Sequence, residues 1–390
     1  MCEWKESVLG DYAKVLGGYA FKSTDFKEFG DYPVIKIKNI ASGTLNMTEC
    51  QYILANIASH ATRFKAEKGD ILIAMTGSHI TQPSSMVGRV TRYNSTVEAY
   101  INQRVGKVIS RDKNLLDENF LYYFMVQDDT TYSLANIASG SANQANISAS
   151  QIEAMPLLVP CITEQRIIAE ILASLDDKID LLTRQNATLE ALAKTYFRQW
   201  FVEKGCELGR LDSIAKVTMG QSPNGRSYNE SGIGTMFFQG RAEFGWRYPV
   251  KRLYTTEPSR MAEKGDILMS VRAPVGDLNI AESDCCIGRG LAAINSKYRT
   301  FVFYALKEQS EQLDIFNGEG TVFGSITKEG LNGLQIHLPS ELQIQDFNGK
   351  FFVLDEKIEQ NTQQIQTLQK LRDKLLPKLI SGEMKVKELK

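Results

Sequence analysis

Long apolar runs are missing from this 390-residue chain. No stretch approaches the roughly 20 residues that crossing a bilayer requires, which argues against a membrane partner. The opening MCEWKESVLGDYAKV has no basic-then-apolar order of a secretory signal. Cysteine is sparse and unpatterned: Cys2, Cys50, Cys161, Cys206, Cys285 and Cys286 form no C-x-x-C, and the adjacent pair has no common metal-ligand spacing. Free thiols in a reducing, cytoplasmic location are therefore expected. Catalytic signatures are missing too. There is no G-x-G-x-x-G, no G-x-x-x-x-G-K-[ST] and no G-x-S-x-G. The histidines His60, His79 and His337 lie far apart, and none has a second ligand at metal spacing. His337, inside IHLP, reads as a core or edge residue.

A dominant charge is also lacking, since the net charge is −1. The neutrality hides local bias. Arg63 to Lys113 holds nine Lys/Arg against four Asp/Glu, and Arg226 to Arg272 holds eight against five. Such faces suit phosphate contact, and they equally suit a solvated surface.

What the chain does contain is itself, twice. Ala66 to Leu72 reads AEKGDIL and so does Ala262 to Leu268, an offset of 196. Ala13-Lys14-Val15 recurs as Ala215-Lys216-Val217 at 202, and LDDKID at Leu175 recurs as LDEKIE at Leu354 at 179. The last offset also carries Ile147-Ser148 onto Ile326-Thr327 and Pro160 onto Pro339. One shared heptapeptide could be turn chemistry; collinear matches along the chain mark an internal repeat.

Each copy begins with short β-type runs: YPVIKIKNI, GDILIAM and YINQRVGKVI, then GTMFFQGR, GDILMSV and CCIGRGLAAI. Short apolar helices are expected around Phe120–Val126 and Phe301–Leu306, each followed by a polar loop and a strand ending at Pro160 or Pro339. A long helix closes each copy. Ile168, Leu172, Leu175, Ile179, Leu182, Leu189, Ala193, Tyr196 and Trp200 form a heptad seam interrupted by Asn186. Phe347, Phe351, Leu354, Ile358, Ile365 and Leu368 form another, interrupted by Asn361. Thr163 and Ser340 are the expected N-caps. Helices of roughly 38 residues would run roughly 57 Å, and so narrow a stripe wants one partner, most simply the other copy.

This plan resembles the DNA-specificity subunits of Type I restriction–modification systems. The resemblance spans essentially the whole chain and rests on the doubled KGDIL, the I-[ST] before the strand ending in Pro, the LD-[DE]-KI opening of both helices, and the tail LLPKLISGEMKV. It implies an α+β chain of two β-rich target-recognition domains, each followed by a long helix, with the helices packed as an antiparallel coiled coil of pseudo-two-fold symmetry. The expected boundaries are 1–160, 161–204, 205–339 and 340–390. The resemblance also implies a non-catalytic subunit that reads a bipartite, asymmetric target on double-stranded DNA. Its implied partners are two modification subunits and the restriction subunits, with S-adenosylmethionine, ATP and Mg held by those partners. The chain's own motifs agree, since no Asn-Pro or Asp-Pro exists to hold a flipped adenine. Two other readings stay open. One is an adaptor that assembles partners without reading DNA, and the other is a self-sufficient methyltransferase-endonuclease.

Arg, Asn and Gln make the forked hydrogen bonds that distinguish bases in the major groove. The reading groups expected in the first domain are Thr76, Ser78, Asn102, Gln103, Arg104, Asn143, Gln144 and Asn146. Those of the second are Gln239, Arg241, Arg272, Arg289, Thr321 and Ser325. Phe237, Phe238, Phe244 and Trp246 interleave with Arg241 and Arg247; such rings can stack on DNA, but core packing is their commoner use. Asn186 and Asn361 are expected to fix the helix register. In a parallel, in-register pair each would face an apolar residue, at Ile365 and Leu182. In an antiparallel pair they can meet, which holds the sum of facing positions at 547.

Overall fold

The structure, a computed structural model, describes residues 3–80, 82, 85–141, 144–317 and 324–386. It divides into two compact units, residues 1–180 with 365–390, and residues 181–364. Each unit therefore takes one β-rich part and a stretch of both long helices, rather than ending where a helix begins.

In the first unit an antiparallel sheet orders Val90–Arg92, Ile71–Ala74, Val105–Ser110 and Ala13–Gly17. A mixed sheet orders Gln51–Ile53, Tyr32–Ile35, Ala99–Ile101 and Lys65–Ala66, with Tyr32–Ile35 parallel to Ala99–Ile101. The second unit repeats both. Its antiparallel sheet orders Lys216–Met219, Leu291–Asn295, Ile267–Ser270 and Leu278–Ile280. Its mixed sheet contains the parallel pair Thr235–Phe238 and Cys285–Ile287. Two runs that read as single strands are broken. YPVIKIKNI leaves the sheet after Ile35 because Asn39 Oδ1 accepts the Lys36 amide at 2.8 Å and closes a single helical turn. YINQRVGKVI turns at Asn102–Arg104 and feeds two different sheets.

The repeated peptides now have physical jobs. In KGDIL, Asp70 and Asp266 donate their amides to Glu67 and Glu263 carbonyls at 3.0 Å, while their carboxylates accept the same residues' amides at 2.7 and 2.9 Å. The third residue of that turn needs a positive φ, met by Gly69 at 101° and Gly265 at 92°. In I-[ST], Ser148 and Thr327 cap the short helices Ala149–Glu153 and Lys328–Asn332 by accepting amides three residues on.

The helices that frame the two units include α1 (Glu118–Val126), α2 (Ile162–Phe197), α3 (Arg299–Glu308) and α4 (Glu341–Ile380). Helix α4 starts as expected at Ser340, whose amide and hydroxyl both donate to Gln343 Oε1. Thr163 is not a cap: the Cys161 carbonyl accepts the Gln165 amide at 3.0 Å, so α2 starts earlier and encloses Thr163.

LD-[DE]-KI docks a short helix on a long one. In the first unit Asp176 accepts the Tyr123 hydroxyl at 2.8 Å and Arg372 Nη1 at 2.9 Å. In the second Asp355 accepts the Thr300 hydroxyl at 2.6 Å, the Tyr304 hydroxyl at 3.3 Å and Arg247 Nη2. Arg247 is 1% exposed, lies 3.9 Å over the Phe303 ring, and bonds Glu190 with its other nitrogen at 3.1 Å. Burial opposes its charge, but Asp355, Tyr304 and Glu190 outweigh that and hold its pKa above the ordinary value.

The helix segments within the second unit run antiparallel. Asn186 faces Asn361, the Tyr196 ring lies tilted 5.4 Å from Phe351, and Trp200 lies 5.9 Å from Phe347. Those pairs keep the sum of positions at 547, and an aromatic core of Phe197, Phe201, Phe301 and Phe347 seals the end. In the first unit Asp176 and Arg372 give 548, also antiparallel in sense with the buried contributions of Ile168, Leu172 and Leu379. Among the described residues no helix is long and apolar enough to cross a membrane. Cys50, Cys206, Cys285 and Cys286 are free thiols, whereas Cys161 is disulfide-bonded, a departure from the all-thiol expectation; Cys2 lies outside the described residues.

Candidate nucleic-acid interface

In the second unit three backbone segments are laced together. Val271 donates its amide to the Gly290 carbonyl at 2.9 Å and Ala273 to the Gly324 carbonyl at 3.0 Å, so Arg272 is held between the 288–290 turn and the loop end that carries Ser325. Arg272 and Ser325 form an antiparallel bridge. The turn is set by Ser222, whose hydroxyl accepts the Arg289 amide at 3.2 Å. Its flanking glycines are needed for close approach, since a Cβ at Gly288 or Gly290 would lie 2.8 or 2.9 Å from the Gln239 carbonyl oxygen. The result is a cleft of about 230 Å³ lined by Gln239, Arg241, Arg272 and Arg289.

Four residues chosen from sequence thus share one recess, with Ser325 bridged to one of them. All five are exposed. Arg241 is engaged, its Nε donating to Asp277. Among the described residues Arg272 and Arg289 have no carboxylate partner. Thr321 lies outside the described residues. A second cleft of about 610 Å³ adjoins Arg241 and is lined also by Lys194, Lys307 and Trp246, which is 51% exposed. Phe237 and Phe238 are core residues, at 0% and 2% exposure.

The first unit has the same lacing. Met75 donates to the Arg104 carbonyl at 2.9 Å and Ile147 to the Met75 carbonyl at 3.0 Å. Thr76 pairs with Asn146 as Arg272 pairs with Ser325. Here two expectations need correcting. Thr76 and Ser78 are buried, at 7% and 4% exposure, and their hydroxyls are already used. Thr76 donates to Asn146 Oδ1 at 2.8 Å, and Ser78 to the Gln82 carbonyl at 2.7 Å. They shape the loop and orient Asn146 instead of facing outward. Gln103, Arg104 and Gln144 are exposed, Asn102 and Asn146 half-buried, and Asn143 lies outside the described residues. The Asn102 backbone is committed to the turn, donating to the Ile35 carbonyl at 3.0 Å and accepting the Val105 amide at 2.7 Å.

Ser222 and Asp277 were not singled out from sequence. The Ser-Pro-Asn-Gly run at 222–225 is a turn signal that marks the first; nothing local marks Asp277, which reaches Arg241 across 36 positions. Among the described residues no group of three His, Cys, Asp or Glu could hold a metal ion.

Comparison with known proteins matches the chain twice, over residues 1–191 and 203–370, to a family model described as the Type I restriction modification DNA specificity domain. The putative type I restriction enzyme MjaX specificity subunit of Methanocaldococcus jannaschii is 29% identical over 99% of this chain and 94% of its own. The HindI specificity subunit of Haemophilus influenzae is 29% identical over 52% of this chain and 42% of its own. The crystal structure of a Type I restriction-modification S subunit from M. genitalium shares the fold, with a TM-score of 0.63, 18% identity, and coverage of 97% and 96%.

Proposed function

Because the chain belongs to the family of Type I restriction modification DNA specificity domains, we propose that it is the specificity subunit of such a system. It reads a bipartite, asymmetric target on double-stranded DNA and positions modification and restriction subunits there. The observation that carries the reading at the level of residues is the arginine-lined cleft. Three guanidinium groups and the Gln239 amide converge on one recess, the side chains that make forked contacts to base edges and phosphates. Of the three arginines, Arg241 is matched by a carboxylate, Asp277, while among the described residues Arg272 and Arg289 are not.

The chemistry belongs to the partners in this reading. Methyl transfer from S-adenosylmethionine to adenine is the work of two modification subunits, and ATP- and Mg-dependent cleavage that of restriction subunits. The specificity chain contributes the two reading surfaces and the helices that link them.

The test is to assemble the chain with its modification partner and map methylated adenines. The expected result is methylation at two unlike half-sites flanking a fixed gap, with binding that weakens steeply with salt. Exchanging residues 1–160 for those of a relative should change one half-site and leave the other. Retention of DNA without sequence preference would favour a bare adaptor. Methyl transfer by the purified chain alone would overturn the non-catalytic assignment.

A further inference from the structure

The two units hold the same backbone positions and fill them with different chemistry. At the bridge, the first unit places Thr76 opposite Asn146 and the second places Arg272 opposite Ser325. At the turn between the two sheets, the first presents Gln103 and the second Arg289. The forks of the first unit at these positions are amides, because Thr76 is buried against Asn146 Oδ1 and leaves that amide's nitrogen and second lone pair available. The forks of the second are guanidinium groups, and among the described residues no carboxylate lines the recess that holds them.

This difference matters because base edges differ in kind. Guanine offers two acceptors in the major groove, O6 and N7, which suit a fork that only donates. Adenine offers one acceptor and one donor, N7 and the N6 amino group, which suit an amide that does both. A guanidinium cannot accept from N6, and an amide facing O6 and N7 wastes its oxygen.

We propose that the second unit specifies guanine, with Arg272 and Arg289 each reading one guanine through O6 and N7. The half-site read by residues 205–339 is then anchored by G·C pairs. The equivalent positions of the half-site read by residues 1–160, facing Asn146 and Gln103, are A·T pairs. The inference rests on the DNA-reading role proposed above and goes beyond it by assigning base classes to positions. The backbone lacing supports it: the Arg289 amide is fixed by Ser222, and both neighbours of Arg272 are hydrogen-bonded, so each guanidinium extends from an anchored main chain.

The experiment uses the full chain assembled with its modification partner and duplex DNA selected from a random pool. The selected half-site that changes when residues 205–339 are exchanged is the one to inspect. Two guanines are expected in it. Replacing either by 7-deazaguanine, which removes N7 and keeps base pairing, should weaken binding roughly 5- to 150-fold. Arg272→Ala should abolish sensitivity at one guanine and Arg289→Ala at the other. Arg289→Lys keeps the charge and loses the fork, so it too should lose discrimination while retaining most of the salt dependence. Both arginines are exposed, so these variants should fold, and an unchanged urea midpoint checks it. A half-site of A·T pairs alone overturns the proposal, as does equal weakening on every sequence, which would make the arginines phosphate contacts. In either case the DNA-reading role stands, because a sequence was still selected. No enrichment of any sequence would overturn that role and the inference together.

Discussion

Asn361 Nδ2 donates to Asn186 Oδ1 at 2.9 Å, with both residues almost wholly buried in the helix seam. The amide pair is not isolated, since Asn361 Nδ2 also reaches Gln185 Oε1 at 2.9 Å and Asn186 Nδ2 reaches Thr362 Oγ1 at 3.3 Å. Asn186→Leu alone should destabilise the chain by about 1–3 kcal/mol, because it strands a buried amide. Asn186→Leu with Asn361→Leu should cost less than either single change, which a double-mutant cycle of urea unfolding reads as a negative coupling. Strictly additive losses would show that the two side chains do not act as a pair. The proposed role in register adds a second readout: the double variant should lose uniqueness of pairing, seen as broadened amide resonances along α2 and α4.

The two docking aspartates should differ in cost. Asp355 sits at 2% exposure against a fully enclosed Arg247, whereas the Asp176 side chain is 30% exposed. Asp355→Asn leaves a buried guanidinium with one carboxylate instead of two, a class of change that costs about 3–5 kcal/mol. Asp176→Asn should cost under about 1 kcal/mol, because solvent screens what remains. Denaturant midpoints compare them directly. Equal effects would mean that burial does not govern these pairs.

The first KGDIL turn predicts a backbone cost free of sterics. A Cβ at Gly69 meets nothing within 4 Å, so Gly69→Ala should lose roughly 1–2 kcal/mol from its φ of 101° alone. Gly17, where a Cβ also meets nothing and φ is not positive, is the control and should be near neutral. At Gly276, with φ of 101° and the Leu313 Cβ at 3.0 Å, the loss should exceed that at Gly69. Thermal unfolding orders the three variants; a neutral Gly69→Ala would remove the turn argument.

Thiol chemistry should follow burial. Cys285 is wholly buried, and burial, then Asp266, pushes its pKa up to about 12. A raised pKa means less thiolate at neutral pH, so alkylation should be slow and should rise with pH toward 12. Cys50 and Cys206 are only half-buried and should react first under native conditions. Mass spectrometry after limited iodoacetamide treatment reads the order, and early labelling at Cys285 would contradict it.

Much of this architecture was legible because the repeat exposed it. The heptad seams gave the long helices, and the positions of Asn186 and Asn361 gave a sense of pairing that only an antiparallel arrangement satisfies. Turn and cap chemistry in KGDIL and I-[ST] is local, so spacing alone reveals it. The reading groups were legible only in part. Arg272 and Arg289 could be named from their side chains, but whether a hydroxyl such as Thr76 or Ser78 faces outward depends on partners about 70 and 4 positions away, Asn146 and Gln82. The breaks in YPVIKIKNI and YINQRVGKVI were hidden for a similar reason: apolar residues resume after each, at Ile37 and Val105, while the chain changes sheets.

The aspartate in LD-[DE]-KI has a consequence for domain exchange. In both units it receives a tyrosine from the short apolar helix, Tyr123 or Tyr304, while the arginine that completes the site comes from unrelated places, Arg372 on α4 and Arg247 in a loop. The tyrosine is thus a plug and the aspartate a socket of common gauge. A chimera joined within this socket should therefore seat a foreign β-rich part that brings the tyrosine, and a part lacking it should lower the urea midpoint. The helices need not change for the exchange.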